Sequence, residues 1–186
     1  MFSEIKKISS LLLSVAFSSI GFIASITVTV LAAREVSSNP LFVGFPNAVG
    51  VGGAVLGTRM IYLISKTNSQ LNALAFTFLI GAFGGAIMFY SLIIDSFLLL
   101  LLGAFILGIG QSATLQTRYA ASFVAGTKFK ATALSLAVWF SVFGSVFGPR
   151  MVGSYSYYFE NIFNSELIVG YVIALVGMLF AAASLF

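Results

Sequence analysis

The sequence contains no cysteine and no histidine, and few of its residues carry charge. Without cysteine there is no disulfide bond and no thiolate redox or metal site, and without histidine there is no imidazole base, proton relay or metal ligand. Its five acidic residues, Glu4, Glu35, Asp95, Glu160 and Glu166, lie outside the long uncharged stretches of the chain. Most intramembrane enzymes need one of these groups inside the membrane. We therefore expect neither an enzyme nor a bound cofactor or metal.

Apolar residues dominate the 186-residue chain: 60% are hydrophobic and only 8% are charged. This composition excludes an ordinary soluble domain, in which about 25% of residues are charged. Six uncharged, mostly apolar stretches are each long enough for a bilayer core that needs about 20 helical residues. They cover residues 8–33, 36–58, 67–94, 96–117, 131–149 and 167–186. The sequence predicts an all-α, polytopic membrane protein whose residues 1–186 form a single bundle of six transmembrane helices.

The basic residues predict the orientation of this bundle. With the N-terminus in the cytoplasm, the outer segments carry only Arg34 and Arg150. The inner segments carry Lys6, Lys7, Arg59, Lys66, Arg118, Lys128 and Lys130. This bias satisfies the positive-inside rule, so both termini are predicted to be cytoplasmic and the protein to lie in the cytoplasmic (inner) membrane. Because the net charge of +4 is scattered between spans, we expect the lipid bilayer and no nucleic acid as a partner.

The first stretch has an alternative interpretation as a cleaved signal peptide. Lys6 and Lys7 would form its basic region, and Leu31-Ala32-Ala33 its cleavage site. The uncharged run of residues 8–33 is much longer than the apolar core of about 7 to 15 residues in a signal peptide. A retained first helix is therefore favoured.

An internal repeat divides the chain into two halves. Gly53-Ala-Val-Leu-Gly57-Thr-Arg59-Met60 recurs as Gly144-Ser-Val-Phe-Gly148-Pro-Arg150-Met151, at an offset of 91 residues. An offset of three spans makes the second unit enter the membrane from the opposite side, as in the inverted repeats of many secondary transporters. We expect two inverted three-helix repeats, at about residues 8–94 and 97–186. Coincidence is the alternative, because small-xxx-small pairs are common in membrane helices.

Polar residues form stripes on two of the predicted helices. In the first span Ser10, Ser14, Ser18, Gly21 and Ser25 share one face, and in the fourth Gly108, Gln111, Thr114 and Arg118 do the same. The hydroxyls can bond to neighbouring backbone, but a buried amide needs partners that lipid does not supply. Arg118 sets the topology or binds an anion. The residues predicted to line a solute path are Ser18, Ser25, Asn47, Gln111, Gln116 and Arg118.

The fifth span has features of a bend or gate. Gly144 and Gly148 let a neighbouring helix approach, and Pro149 removes a backbone donor, so the helix is predicted to bend or end there. The outer segment 150–166 that follows is rich in tyrosine and phenylalanine among polar residues. It is interpreted as an anchor at the membrane interface, with a substrate lid as the alternative.

Two sequences resemble the major facilitator superfamily of transporters. Gly144-x-x-x-Gly148-Pro149-x-x-x-Gly153 is similar to the fifth-helix antiporter signature of that family, G-x-x-x-G-P-x-x-G-G, with Val152 at the penultimate glycine. Residues 108–121 and 133–139 are similar to the fourth and fifth helices of bacterial members. The loop pattern G-x-x-x-D-R-x-G-R-K of the family is kept only at Gly57 and Lys66. The resemblance covers the whole chain as an N-terminal six-helix half.

The resemblance implies a half-sized secondary transporter subunit that moves a small-molecule substrate by alternating access. Complete members have twelve spans, and the sequence ends at Phe186 with the sixth. We therefore expect pairing with a second six-helix half, either another copy in a homodimer or a homologous subunit. The alternatives are a six-span substrate-binding subunit of an ATPase-driven uptake complex and a membrane scaffold that transports nothing.

Overall fold

A computed structural model of the chain describes residues 2–37, 40–163 and 165–186. Within these residues the fold consists of six α-helices and one short 3-10 helix, with no β-strand. The helices are α1 (Phe2–Val36), α2 (Phe45–Thr67), α3 (Gln70–Ile93), α4 (Phe97–Val124), α5 (Gly126–Phe163) and α6 (Ile168–Ala183), and the 3-10 helix covers Pro40–Phe42. The predicted all-α class is therefore confirmed.

Short polar or glycine-containing connections separate the helices. The side chain of Ser69 caps α3 by accepting a hydrogen bond from the Asn72 backbone N–H at 3.2 Å. Ser96 caps α4 in the same way through the Leu99 N–H at 3.4 Å. Gly126, the first residue of α5, has a φ of 68°, which costs glycine little because it has no Cβ. Each cap satisfies a donor at a helix end and lets the chain reverse within a few residues.

Five of the helices in the described part of the chain, α1 to α5, are long and apolar enough to cross a membrane. The sixth, α6, has 16 residues and is also apolar. At 1.5 Å per residue it is about 24 Å long, shorter than a hydrocarbon core of about 30 Å. Several apolar helices therefore agree with a multi-pass membrane protein, while the sixth helix ends earlier than the uncharged stretch 167–186 predicts.

The second and fifth predicted spans differ most from the observed helices in their boundaries. Residues 36–58 were predicted to be the second span, but α2 begins at Phe45 and includes the exposed Arg59 and Lys66. Uncharged runs mark hydrophobicity, whereas the start of α2 is set by Pro46 in its first turn, where a missing N–H has no cost. The prediction for the second span is thus shifted along the chain, whereas the prediction for 131–149 is too short, because α5 begins at Gly126 and continues through Pro149 to Phe163.

The continuation of α5 through Pro149 corrects the possibility that the helix ends there. Pro149 lies inside α5, with helical residues on both sides. Proline removes one intrahelical hydrogen bond, and membrane helices tolerate this loss because neighbouring helices and side chains satisfy the freed group. The first part of the aromatic segment 150–166 is thus helical, extending α5 by 14 residues beyond the proline.

The packing of the bundle is organised around α1 and α4. Helix α4 packs most extensively against α3 and α2, and α1 against α6 and α5. Helices α3 and α6 also pack against each other, and α1 contacts α4. A Cβ added to Gly53 of α2 would overlap the carbonyl group of Phe105 in α4, so only glycine permits this approach. The small residues therefore let the α2 and α4 backbones approach closely, as small-xxx-small faces do in membranes.

Large side chains are distributed as the membrane environment requires. Phe78 and Tyr171 are fully buried in the centre of the bundle, whereas Leu41 and Leu98 are 81% and 76% exposed. Exposed apolar side chains occur along all six helices. Soluble proteins rarely present so much contiguous apolar surface, because it would associate in water. This surface therefore fits contact with lipid or with another membrane protein.

Candidate functional site

Two adjoining cavities lie between α1, α2, α4 and α5. The first has a volume of about 240 Å³. Its wall is formed by Phe22, Ser25, Ile26, Thr29, Pro46, Asn47, Gly50, Val51, Met88, Ala104, Leu107 and Gln111. Most of these side chains are apolar, and the amides of Asn47 and Gln111 are the largest polar groups among them. An apolar wall with a few polar groups is typical of sites for small organic molecules.

The second cavity, of about 160 Å³, is more polar. Its wall is formed by Ser19, Phe22, Ile23, Gln111, Thr114, Leu115, Arg118, Ser141 and Ser145. The two cavities share Phe22 and Gln111, so they are neighbours along the same side of α4. Helix periodicity explains the α4 contribution, because Gln111, Thr114 and Arg118 are spaced by three and four residues and face the same way. Together the cavities bring the amides of Asn47 and Gln111 and the guanidinium of Arg118 to one side of α4, within an otherwise apolar bundle.

Four of the six residues predicted for the solute path line these cavities. Ser25 and Asn47 lie in the first, Arg118 in the second, and Gln111 in both. Ser18 lies in neither: it is fully buried, and its hydroxyl donates to the Val15 carbonyl oxygen at 3.3 Å. Gln116 is partly exposed and also lines neither cavity.

Ser19, rather than its neighbour Ser18, lines the second cavity. Consecutive residues of a helix point about 100° apart, so the two serines face different surroundings. The serine stripe of the sequence marks the face that contains Ser18. Thr114 was part of the α4 stripe and could have been included on its spacing alone. Ser141 and Ser145 of α5 form an i, i+4 pair that sequence reasoning did not use.

Three polar atoms around the second cavity have no hydrogen-bond partner. They are Ser19 Oγ, Thr114 Oγ1 and Arg118 Nε, and each is inaccessible to solvent. Ser19 and Thr114 are each only 4% exposed, and Arg118 is partly buried. A buried polar group without a partner costs about 1 to 3 kcal/mol in protein mutational data. The residues of the cavity wall thus carry three donor atoms whose bonding capacity is unused.

No acidic residue is among those lining either cavity. Glu35 and Asp95 line a different cavity of about 480 Å³, with Ser165 and residues of α3 and α5. Among the residues that the structure describes, no group of three or more carboxylate, imidazole or thiol side chains could hold a metal ion. The electrostatics of the second cavity are therefore set by the guanidinium of Arg118 and by hydroxyl and amide dipoles.

The residues predicted to form a gate lie where α5 packs against α1. A Cβ built on Gly144 would be 2.5 Å from Ser19 Cβ, and one built on Gly148 would be 3.0 Å from the Ala24 backbone nitrogen. Both glycines are buried, whereas Pro149 is exposed. Gly144 thus lets α5 pack directly against Ser19, which lines the second cavity.

Two curated proteins of Bacillus subtilis (strain 168) are similar to this chain. YdeG, an uncharacterized MFS-type transporter, is 29% identical over 174 residues, which are 94% of this chain and 40% of YdeG. YddS, also an uncharacterized MFS-type transporter, is 31% identical over 157 residues, 84% of this chain and 36% of YddS. The chain therefore spans less than half the length of these relatives.

No family model matches the chain, and no solved structure matches it significantly. The two relatives nevertheless align with most of the chain, including the helices whose motifs carried the resemblance. They are named as transporters, in agreement with a protein that is not an enzyme. The similarity of this chain to the transporters of the major facilitator superfamily, first indicated by the motifs of its fourth and fifth helices, is thereby confirmed.

Proposed function

We propose that this chain is a six-helix half of a secondary transporter, which moves a small solute across the cytoplasmic membrane by alternating access. The observation that carries the proposal is the pair of adjoining cavities between α1, α2, α4 and α5, which contain polar groups inside an apolar bundle similar to MFS-type transporters. A carrier needs a polar route that lipid cannot enter, and irregular or polar features at membrane depth are tolerated where they line such a route.

The six helices are proposed to form two inverted repeats of three. In support, α2 packs against α4 through Gly53 and Gly57, and α5 packs against α1 through Gly144 and Gly148. Helices α3 and α6 occupy corresponding places, since α3 packs against α4 and α6 against α1. An axis that exchanges α1 with α4, α2 with α5 and α3 with α6 would reproduce each of these pairs. Alternating access in such folds is largely a rocking of one bundle against another around a fixed site.

The cavities are proposed to be completed by a second six-helix half, either a second copy or a homologous subunit. Helices α2 and α5 are the least buried of the five long helices. In their most apolar segments of 18 residues, 17% and 22% of the residues are buried. Together with α1 and α4 they frame the two cavities, so a second half placed there would cover both the helices and the route. The proposed orientation has both termini in the cytoplasm, following the distribution of basic residues.

Cysteine accessibility tests this function, because the natural chain has no cysteine. Ser25→Cys and Ser145→Cys place a thiol in the first and second cavity, and Phe83→Cys places one on the exposed surface of α3, away from both. A membrane-impermeant thiol reagent is applied to right-side-out and to inverted vesicles. Alternating access predicts that both cavity thiols react from both sides, while the lipid-facing control reacts from neither.

The alternative functions give different patterns in the same experiment. A substrate-binding subunit of an ATPase-driven complex exposes its cavity to one side, so the two thiols would react in one vesicle orientation only. A scaffold has no aqueous route, so neither thiol would react. Either pattern would overturn the transporter proposal.

A further inference from the structure

Buried hydroxyl groups in this protein are almost all satisfied within their own helices. The described residues include 11 buried serines and threonines, and nine of these donate to a carbonyl oxygen three or four residues earlier. The nine are Ser14, Ser18, Ser25, Thr29, Thr77, Ser91, Ser112, Thr117 and Ser122. The two exceptions are Ser19 and Thr114, and both line the second cavity. Their free hydroxyls are therefore a local property of this cavity.

The same cavity contains a cation without a counter-ion in its wall. Arg118 lines it, the Nε atom of Arg118 has no partner, and none of the described lining residues is acidic. A guanidinium is always protonated and donates in a planar fork that matches the oxygens of a carboxylate. Three unused donors from α1 and α4 thus belong to residues of one cavity wall, and no carboxylate is among the residues of that wall.

We propose that Arg118, Ser19 and Thr114 bind the carboxylate of a transported organic anion, whose apolar part lies in the first cavity beside Phe22. This inference rests on the proposed function, in which the two cavities form the solute route. It assigns the substrate class, an amphipathic carboxylate, and assigns Arg118 to solute binding.

The first cavity provides the complementary surface for the apolar part. Its wall includes Ile26, Val51, Met88 and Leu107, and Phe22 forms part of both walls. The volumes of about 240 and 160 Å³ together lie near the lower end of the range of about 300 to 1,000 Å³ for drug-sized ligands. A solute with a single ring or a short chain attached to its carboxylate therefore matches the space.

Benzoate, benzamide and inorganic phosphate are suitable probes for this site. Binding of radiolabelled benzoate is measured on the purified full chain in phosphatidylcholine nanodiscs, by scintillation proximity. We expect benzoate to bind, and unlabelled benzamide, which has the same ring without the charge, to compete at least about tenfold more weakly, because bonds to charged groups are the stronger ones. Phosphate is expected to compete poorly, since it lacks an apolar part.

Variants of the three donors identify where benzoate binds. Arg118→Gln should weaken benzoate binding by about tenfold or more, and Arg118→Lys by less, since it keeps the charge but loses the planar fork. Thr114→Val should also weaken binding, whereas Thr117→Val, on the same helix but outside the cavity wall, should leave it unchanged. Ser19→Ala has Ser14→Ala as its matched control on α1.

The thermal unfolding midpoint of each variant distinguishes a loss of binding from a loss of stability. If Arg118→Gln fails to fold, the Thr114 and Ser19 variants still test the inference. The Thr114 hydroxyl has no partner, so Thr114→Val should preserve or raise the midpoint of the unliganded protein. The Thr117 hydroxyl donates to Ala113, so Thr117→Val should lower it. Weaker binding together with undiminished stability is the expected signature at Thr114 and at Ser19.

Several results would overturn the inference. If benzamide competed as well as unlabelled benzoate, the site would not recognise the negative charge. If phosphate competed better than unlabelled benzoate, the site would be assigned to an inorganic ion. Displacement of benzoate when phosphatidylglycerol is added to the nanodiscs would assign it to a lipid headgroup. Absence of benzoate binding, or binding insensitive to all three donor variants, would also overturn it. Two-sided reactivity of the cavity thiols could still be observed in each case, so the inference and the transporter proposal fail separately.

Discussion

Ser19 of α1 lies directly against Gly144 of α5, so that a Cβ built on Gly144 would be 2.5 Å from Ser19 Cβ and 2.6 Å from the Ser19 carbonyl carbon. Four residues later, a Cβ on Gly148 would meet α1 at 3.0 Å or more. The contact between α1 and α5 is thus tighter at Gly144, which is also the level at which Ser19 enters the second cavity. Packing and the proposed binding site are therefore linked through a single residue.

This difference predicts unequal effects for the same substitution at the two glycines. Gly144→Ala forces the α1 backbone to move and should lower the free energy of unfolding by about 1 to 3 kcal/mol, the usual cost of overpacking. Gly148→Ala requires a shift of only a few tenths of an ångström and should cost less. Unfolding in detergent, followed by circular dichroism, measures both variants. Equal destabilisation would contradict the assigned geometry.

A larger side chain at Gly148 tests whether this helix contact moves during transport. In the Ser145→Cys background, Gly148→Leu should fix the α1–α5 contact and abolish reaction of the thiol from one side of the membrane. Correct folding is checked by size-exclusion chromatography and by the unfolding midpoint. If the glycine serves only packing, reactivity from both sides will fall together with the amount of folded protein, and reactivity per folded molecule will be unchanged.

The direction of α5 predicts the sidedness of its two ends. Thr127 and Ser156 lie near opposite ends of this helix, 29 residues apart. At 1.5 Å per residue they are separated by about 44 Å, more than a bilayer core of about 30 Å. Thr127→Cys should react with an impermeant reagent only from the cytoplasmic side and Ser156→Cys only from the outer side. Labelling of both from one side would refute the proposed topology.

Replacing Pro149 should show what the proline contributes. Pro149→Ala restores a backbone N–H that can donate to the Ser145 carbonyl oxygen, and should raise the free energy of unfolding by about 0.5 to 1.5 kcal/mol. Pro40→Ala is the control, since Pro40 is exposed at the start of the 3-10 helix, where no helical donor is missing. A loss of stability in Pro149→Ala would mean that packing depends on the conformation that proline imposes.

Composition and uncharged runs were sufficient for the helical class and for the presence of several long apolar helices, because a membrane helix must be apolar over about 20 residues whatever surrounds it. The uncharged runs did not predict where the helices begin and end. Arg59 and Lys66 are exposed within α2, and their long side chains can reach the membrane interface, so a charge does not end a helix. For the same reason the α4 helix continues past Arg118 to Val124.

The sequence by itself determined which residues share a helix face, as for Gln111, Thr114 and Arg118, because the period of the α-helix is a local property of the backbone. Only the tertiary structure decided which neighbour that face meets. The serine stripe of α1 bonds within its own helix, while Ser19, one position beyond Ser18, lies against Gly144 and reaches the cavity beside Arg118. Contacts between helices depend on the relative rotation of two packed surfaces, which no single helix encodes.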